Sequence, residues 1–254
     1  MIDESDSLIE WCRDPESQWE RGAVPRGKAN VSDAPERIHQ KRSTETRQRL
    51  LDAGLEVFSA RGFEGATTRA IAEKAGVALA SLPYHFKTKE ALWKAVANDI
   101  FKRFALHMAK ARAKLADADA RERTRVLLSE YMRFTAENPQ LLQIAFQEGV
   151  APNPRTEWLV ENHLRPNFEY VKSETLQAVK NGYGRSGRAE HIYYMIVGAA
   201  ALPYVVGSEF ESLTKREATD PELIEAHIQA VLDLFYPSAA GPQDGGQSKD
   251  ESEL

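Results

Sequence analysis

Between about residue 43 and residue 237, apolar residues recur every three or four positions, and no run alternates convincingly as a half-buried strand would. The pattern predicts an all-α protein. Leu50, Leu51, Leu55, Val57 and Phe58 set a first amphipathic helix over 44–61. Gly62 is placed to close it in the left-handed conformation that helix C-termini favour, and Phe63 then turns back to the core. Thr67 or Thr68 caps a short second helix ending near Ala75, with Gly76 as its stop. A third short helix follows at once, and Thr88 caps a long one through Leu92, Val96, Ile100 and Phe101.

Further on, Val126, Leu127, Tyr131 and Phe134 form a stripe that stops at Asn138-Pro139. Leu141, Leu142, Ile144, Ala145 and Phe146 begin the next helix. The uncharged run from Ile192 to Ser208 falls short of the roughly 20 apolar residues a bilayer needs and contains Pro203, so it reads as a buried helix and no membrane segment is expected. The two ends lack helical period. Residues 1–42 mix acids, prolines and glycines and read as a flexible arm, in which Trp11 and Trp19 leave open a short docking segment as against a loose tail. Residues 238–254, rich in Gly, Ser, Gln and acids, read as a disordered tail.

Net charge is −5, but it is unevenly spread. Residues 1–20 hold one basic residue against seven acids, residues 21–103 sixteen against nine, and residues 104–254 sixteen against twenty-two. Phosphates respond to local charge, so the acidic total is no argument against a nucleic-acid partner for the basic block. A single cysteine, Cys12, excludes an internal disulfide and a multi-cysteine zinc site. With seven acids and no apolar stretch in the first twenty residues, cytoplasm is the expected compartment.

The segment from Thr67 to Leu92 carries the strongest signal. Two short helices crossing steeply need a small residue at their closest approach, met by Ala72, and a glycine to reverse the chain, met by Gly76. Ile71, Val77 and Leu82 supply apolar wedges that lock the angle. Arg69, Lys74, His85, Lys87 and Lys89 surround this unit, and Glu73 is the only acid between Thr67 and Lys89. A plain helical hairpin in a bundle would not need that bias. The expected partner is double-stranded DNA.

Gly62-Phe63, Thr67-Thr68, Ile71-Ala72, Ala75-Gly76-Val77, Tyr84-His85-Phe86 and Lys89-Glu90-Ala91-Leu92 together resemble the TetR family of bacterial repressors over about 50 residues. The resemblance implies a three-helix helix-turn-helix domain at 43–92 and a helical ligand-binding and dimerisation domain at 93–237. It also implies roles by position. Thr68 would cap the second helix and meet a phosphate, Arg69 would reach a guanine edge, Ala80 and Ser81 would face bases, and Tyr84, His85 and Lys89 would grip the backbone. These residue types suit those tasks. Pro83 departs from the family, which usually places an aromatic there; the reading helix is expected to end or bend near Leu82. Arg26, Lys28, Arg37, Lys41 and Arg42 form a basic arm that either reaches the minor groove or is merely solvated.

By the same resemblance, the helical remainder holds a small-molecule effector with substantial apolar surface. His107, Tyr131, Phe134, Phe146, Trp158, His163, Tyr170 and Tyr194 are the candidate pocket residues, each individually at home in an ordinary core. Gly198-Ala199-Ala200-Ala201, together with the stripe Leu223, Ile224, His227, Ile228, Val231, Leu232, Leu234 and Phe235, is expected to form a homodimer interface. No cofactor, metal site or catalytic residue is expected: the six histidines are scattered, and there is no HExxH, CxxC, phosphate loop or nucleophile elbow. An all-helical enzyme with spatially converging groups and a non-specific DNA-packaging protein are the rival readings.

Overall fold

Pro35 lies in the first turn of helix α1, Ala34–Gly65, where its missing N–H costs no hydrogen bond. The computed structural model describes residues 34–237, with side chains from residue 40 onward. The helix therefore begins earlier than the expected start at residue 44, and residues 34–42 are helical where an arm was expected. Thr44 and Thr46 are interior residues, their hydroxyls donating to the carbonyls of Gln40 and Arg42 at 3.0 and 2.8 Å. Periodicity missed this stretch because Gln40, Lys41, Arg42, Thr44 and Glu45 are all exposed, so no apolar stripe marks it. Trp11, Trp19, Arg26, Lys28 and residues 238–254 lie outside the described residues.

Gly62 interrupts α1 at φ 67°, ψ 175°, the turning point expected of it. Helix α2, Thr68–Lys74, is capped by Thr67, whose hydroxyl accepts from Ala70 N–H at 3.1 Å. Its end is closed by two hydrogen bonds: Val77 N–H donates to Ala72 O at 2.9 Å and Gly76 N–H to Glu73 O at 3.0 Å, with Gly76 at φ 62°. The next element is a 3₁₀ turn, Leu79–Ser81, leading into helix α3, Leu82–His85. Thr88 then caps α4, Lys89–Ala113, accepting from Ala91 N–H at 3.0 Å.

Beyond α4 come α5 (Ala120–Glu137), α6 (Gln140–Gly149) and α7 (Pro154–Leu159). A π-helical turn, Val160–Leu164, joins α7 to α8 (Arg165–Lys180), and α9 (Ala189–Val205), α10 (Gly207–Thr214) and α11 (Pro221–Phe235) follow. Among the described residues every regular element is helical, and no single helix is long and apolar enough to cross a membrane. Helix α1 packs on both α4 and α6. Its buried residues Leu50 and Phe58 belong to one apolar cluster with Trp93 and Ile100 of α4, Leu141 and Ile144 of α6, and Leu159 of α7. The helix-turn-helix thus shares its core with the helices behind it.

A second cluster joins Met132 of α5 and Ile196 of α9 to Ile228, Val231, Leu232 and Phe235 of α11. These four residues of the α11 stripe are therefore buried inside the chain, while Leu234 stays exposed. Pro203 leaves the carbonyl of Ala199 without its helical donor, and His227 of α11 fills the gap, Nε2–H donating at 2.8 Å. His227 thus ties α11 to α9. Replacing it with Phe is expected to cost about 1–2 kcal/mol in chemical denaturation by stranding that carbonyl; an unchanged midpoint would mean that water takes over the role.

Candidate nucleic-acid interface and ligand cavity

The cap of α2 decides which groups its N-terminus presents. Thr67, one of the two candidate caps, holds the capping position, and Thr68, which the resemblance made the cap, is the first helical residue; this corrects the resemblance by one position. Thr68 is half-buried and Arg69 exposed, both at the open end of α2 where backbone N–H groups favour an anion. Replacing Thr67 with Ala is expected to cost about 1 kcal/mol in urea denaturation, whereas Thr68→Ala should cost a few tenths. The reverse order would reinstate Thr68 as the cap.

Pro83 also acts differently from expectation. It sits in the first turn of α3, and the helix runs past it to His85. The irregularity lies upstream: Pro83 has no N–H for the carbonyl of Leu79, and Leu82 N–H takes that carbonyl, tightening 79–81 into a 3₁₀ turn. The readout surface therefore combines a 3₁₀ turn with one α-turn. On it Ala80 is exposed, Ser81 half-buried and Tyr84 74% exposed, while Leu82 and Phe86 anchor the element to the core.

The positive charge around this surface is partly committed. Lys74 pairs with Glu56. The Lys89 ammonium lies 4.4 Å from the Phe63 ring centre and donates to Glu64 O at 3.5 Å. Arg47, which the sequence pattern did not single out, stands over Phe86 at 5.2 Å and adds a cation from α1. Partial burial, helped by the Arg47 guanidinium, lowers the pKa of His85 below its usual value, so near neutral pH His85 offers a hydrogen bond rather than a charge.

Behind the reader, the helical remainder forms two adjoining chambers, of about 640 and about 100 Å³, the larger opening to solvent past Val150 and Tyr194. Tyr131 lines both, Tyr170 the smaller, and Phe146, His163 and Tyr194 the larger. His107, Phe134 and Trp158 line neither, which corrects the expectation for these three. His107 pairs with Glu130 at 3.1 Å, Phe134 packs on Phe104 at 5.3 Å, and Trp158 packs edge-on to Trp93 at 5.7 Å. Helical spacing fixes which residues face inward but not which of them meet a void. Tyr193, Phe168 and Asn167 also line the cavity, and Asn167 had no apolar stripe to flag it.

His163 reaches the cavity because the π turn widens the helix there. Its Nε2–H donates to Asn98 Oδ1 at 2.9 Å, its ring stacks on Phe101 at 4.5 Å, and burial lowers its pKa to about 4. It is neutral in the folded state. As pH falls below 6.5, the unfolded chain takes up a proton that the folded chain refuses, so stability declines down to about pH 4 by a total of about 3 kcal/mol. Thermal unfolding across that range tests this: His163→Gln should flatten the decline, and an unaltered slope would place its origin elsewhere.

Reader and cavity meet at one joint. Arg155, at the start of α7, lies 3.8 Å over the Phe63 ring and holds the buried Glu148 through Nε at 3.1 Å from each carboxylate oxygen. Gln147 donates to Ser59 O at 2.6 Å. The neighbouring Gly149, Val150 and Thr156 line the larger chamber. One segment thus touches the cavity with one face and the base of the reader with the other.

Residues 50–96 match the profile of the family described as bacterial regulatory proteins, tetR family. The HTH-type transcriptional regulator RutR of Escherichia coli K12 is 29% identical over 191 residues, 72% of this chain and 84% of RutR. The HTH-type transcriptional regulator SrpR of Pseudomonas putida is 50% identical over 52 residues, 20% of this chain and 24% of SrpR. Among solved structures, AibR in complex with isovaleryl coenzyme A and operator DNA superimposes with a TM-score of 0.61 at 15% identity, covering 76% of this chain and 98% of AibR. That likeness concerns the fold. Residues 50–96 thus form a helix-turn-helix domain of the kind described as bacterial regulatory proteins of the tetR family.

Proposed function

We propose that the chain is a ligand-responsive repressor acting as a homodimer on a near-palindromic operator in the cytoplasm. The observation that carries this reading is an exposed, cation-rimmed reader joined through one continuous core to a mainly apolar cavity. In it, residues 43–92 are the DNA-binding domain and 93–237 the effector and dimer domain. Arg69, Ala80, Ser81 and Tyr84 read bases, while Thr68, His85 and Lys89 hold phosphates. That AibR was crystallised with both a coenzyme A thioester and operator DNA supports pairing the two activities in this fold.

Dimerisation is proposed at α9 and α11. With Ile228, Val231, Leu232 and Phe235 buried inside the chain, the candidate surface is the exposed apolar face: Tyr194 at 71%, Met195 at 49%, Leu202 at 51% and Leu234 at 54% exposed, beside the open Gly198. Two-fold symmetry would set the two readers over half-sites about one or more helical turns apart. Effector binding then shifts a population between two reader separations, acting through α4 and the Arg155 joint, provided its affinity differs between the two states. Light scattering is the direct check of the assembly: a dimer mass is expected, and a monomer at working concentration would overturn it. A DNA affinity that falls steeply with salt yet ignores sequence would favour the packaging protein instead.

A further inference from the structure

We propose that Leu79, the leading residue of the reading element, packs on the 5-methyl group of a thymine, so that each half-site is recognised at one position through a methyl group; this rests on the reader contacting bases.

Ala78, Leu79 and Ala80 are three successive exposed residues with apolar side chains, and Leu79 is 42% exposed. Leu82 and Phe86, each 4% exposed, already anchor the element to the core, which leaves the Leu79 side chain free for an outside partner. Exposed cations surround this tip: Arg69 and Lys74 on the α2 side and Lys87 just past α3. Such a rim suits phosphates, and between the phosphate rows of a duplex lies the floor of the major groove, which the leading end of a reading helix meets first.

The one apolar feature of that floor is the thymine methyl group. A leucine has neither donor nor acceptor, so over a G·C pair it would strip water from polar base edges and return nothing. Over thymine it buries carbon against carbon. Leu79 reaches two carbons further than the Ala80 methyl group, and Ser81, the one hydroxyl between residues 78 and 82, is half-buried. The tip is also fixed before DNA arrives: Ser81 N–H donates to Ala78 O at 2.9 Å, and Leu82 N–H donates to the Leu79 carbonyl that Pro83 cannot serve. Little order therefore has to be imposed on binding.

The test is fluorescence anisotropy of the full chain on the duplex that it selects from a random pool, with each thymine replaced in turn by deoxyuridine. The replacement deletes the methyl group and keeps every hydrogen-bonding group of the base. At one thymine in each half-site the parent is expected to bind about fourfold more weakly after replacement, the worth of one buried carbon. Leu79→Ala should bind the two duplexes within about 1.5-fold of each other at that position, and Leu79→Met should keep the fourfold difference. Because Leu79 is exposed, Leu79→Ala should leave the thermal midpoint unchanged. A selected site without thymine, a parent indifferent to every replacement, or a methyl effect that survives Leu79→Ala undiminished would each overturn the inference while leaving sequence-specific binding intact. If the parent enriches no sequence, the reading of bases fails with it.

Discussion

Arg155→Ala is expected to destabilise the protein by about 3–5 kcal/mol, because it leaves the Glu148 carboxylate buried without its cation. Glu148 is 5% exposed, and Arg155 supplies the only side-chain bond to its carboxylate recorded among the described residues. The same change removes the guanidinium from the face of Phe63 and its 3.6 Å pairing with Glu64. Urea denaturation measures the loss. The double variant Glu148→Leu with Arg155→Leu should recover most of it, since removing both charges removes the desolvation cost. A loss below about 1 kcal/mol for Arg155→Ala would mean that water reaches Glu148 readily. In the double variant, where stability is restored, the effect of ligand on DNA affinity should shrink, because the joint between cavity and reader is gone.

The second large effect is expected at Trp93, 1% exposed at the start of α4. Its ring packs edge-on to Phe63 below the reader, at 6.4 Å, and to Trp158, at 5.7 Å; Trp158 in turn meets His163 at 5.3 Å. Trp93→Ala opens a cavity in the core shared by reader and sensor and should cost about 3–5 kcal/mol. Because that core is continuous, the loss should lower the whole unfolding transition. Far-ultraviolet circular dichroism and a fluorescent label on the reader should report one coincident midpoint for parent and variant. Separate midpoints would give the helix-turn-helix a core of its own.

The reader was legible because its constraints are local. Gly62 and Gly76 take positive φ, Thr88 caps the long helix, and Ile71, Ala72 and Leu82 are buried, all from short-range turn and cap chemistry. Where two adjacent residues compete for one role, local chemistry stops short: Thr67 and Thr68 have the same side chain, and only the chain's entry angle gives the cap to Thr67. Pro83 was legible as a disturbance but not in its direction, since a proline in a first helical turn disturbs what precedes it. The start of α1 was invisible because its exposed residues carry no apolar period.

Long-range contacts explain the rest. Nothing within a few residues of Arg155 points to Phe63, and nothing near His227 points to the carbonyl stranded by Pro203. The cavity was anticipated as a region, and five of its eight candidate residues line it. His107, Phe134 and Trp158 do not, because void placement depends on how α4, α5 and α7 stack. Family resemblance implies such a cavity in general; the residues that line it here belong to this chain.

The central claim is that this chain reads DNA sequence. Selection of bound duplexes from a random pool, run with the parent and with Arg69→Ala, tests it most directly. The parent should enrich one near-palindromic sequence, and the variant should lose preference at a guanine in each half-site, a change of about 1–3 kcal/mol per contact. A parent that enriches no sequence would contradict the account.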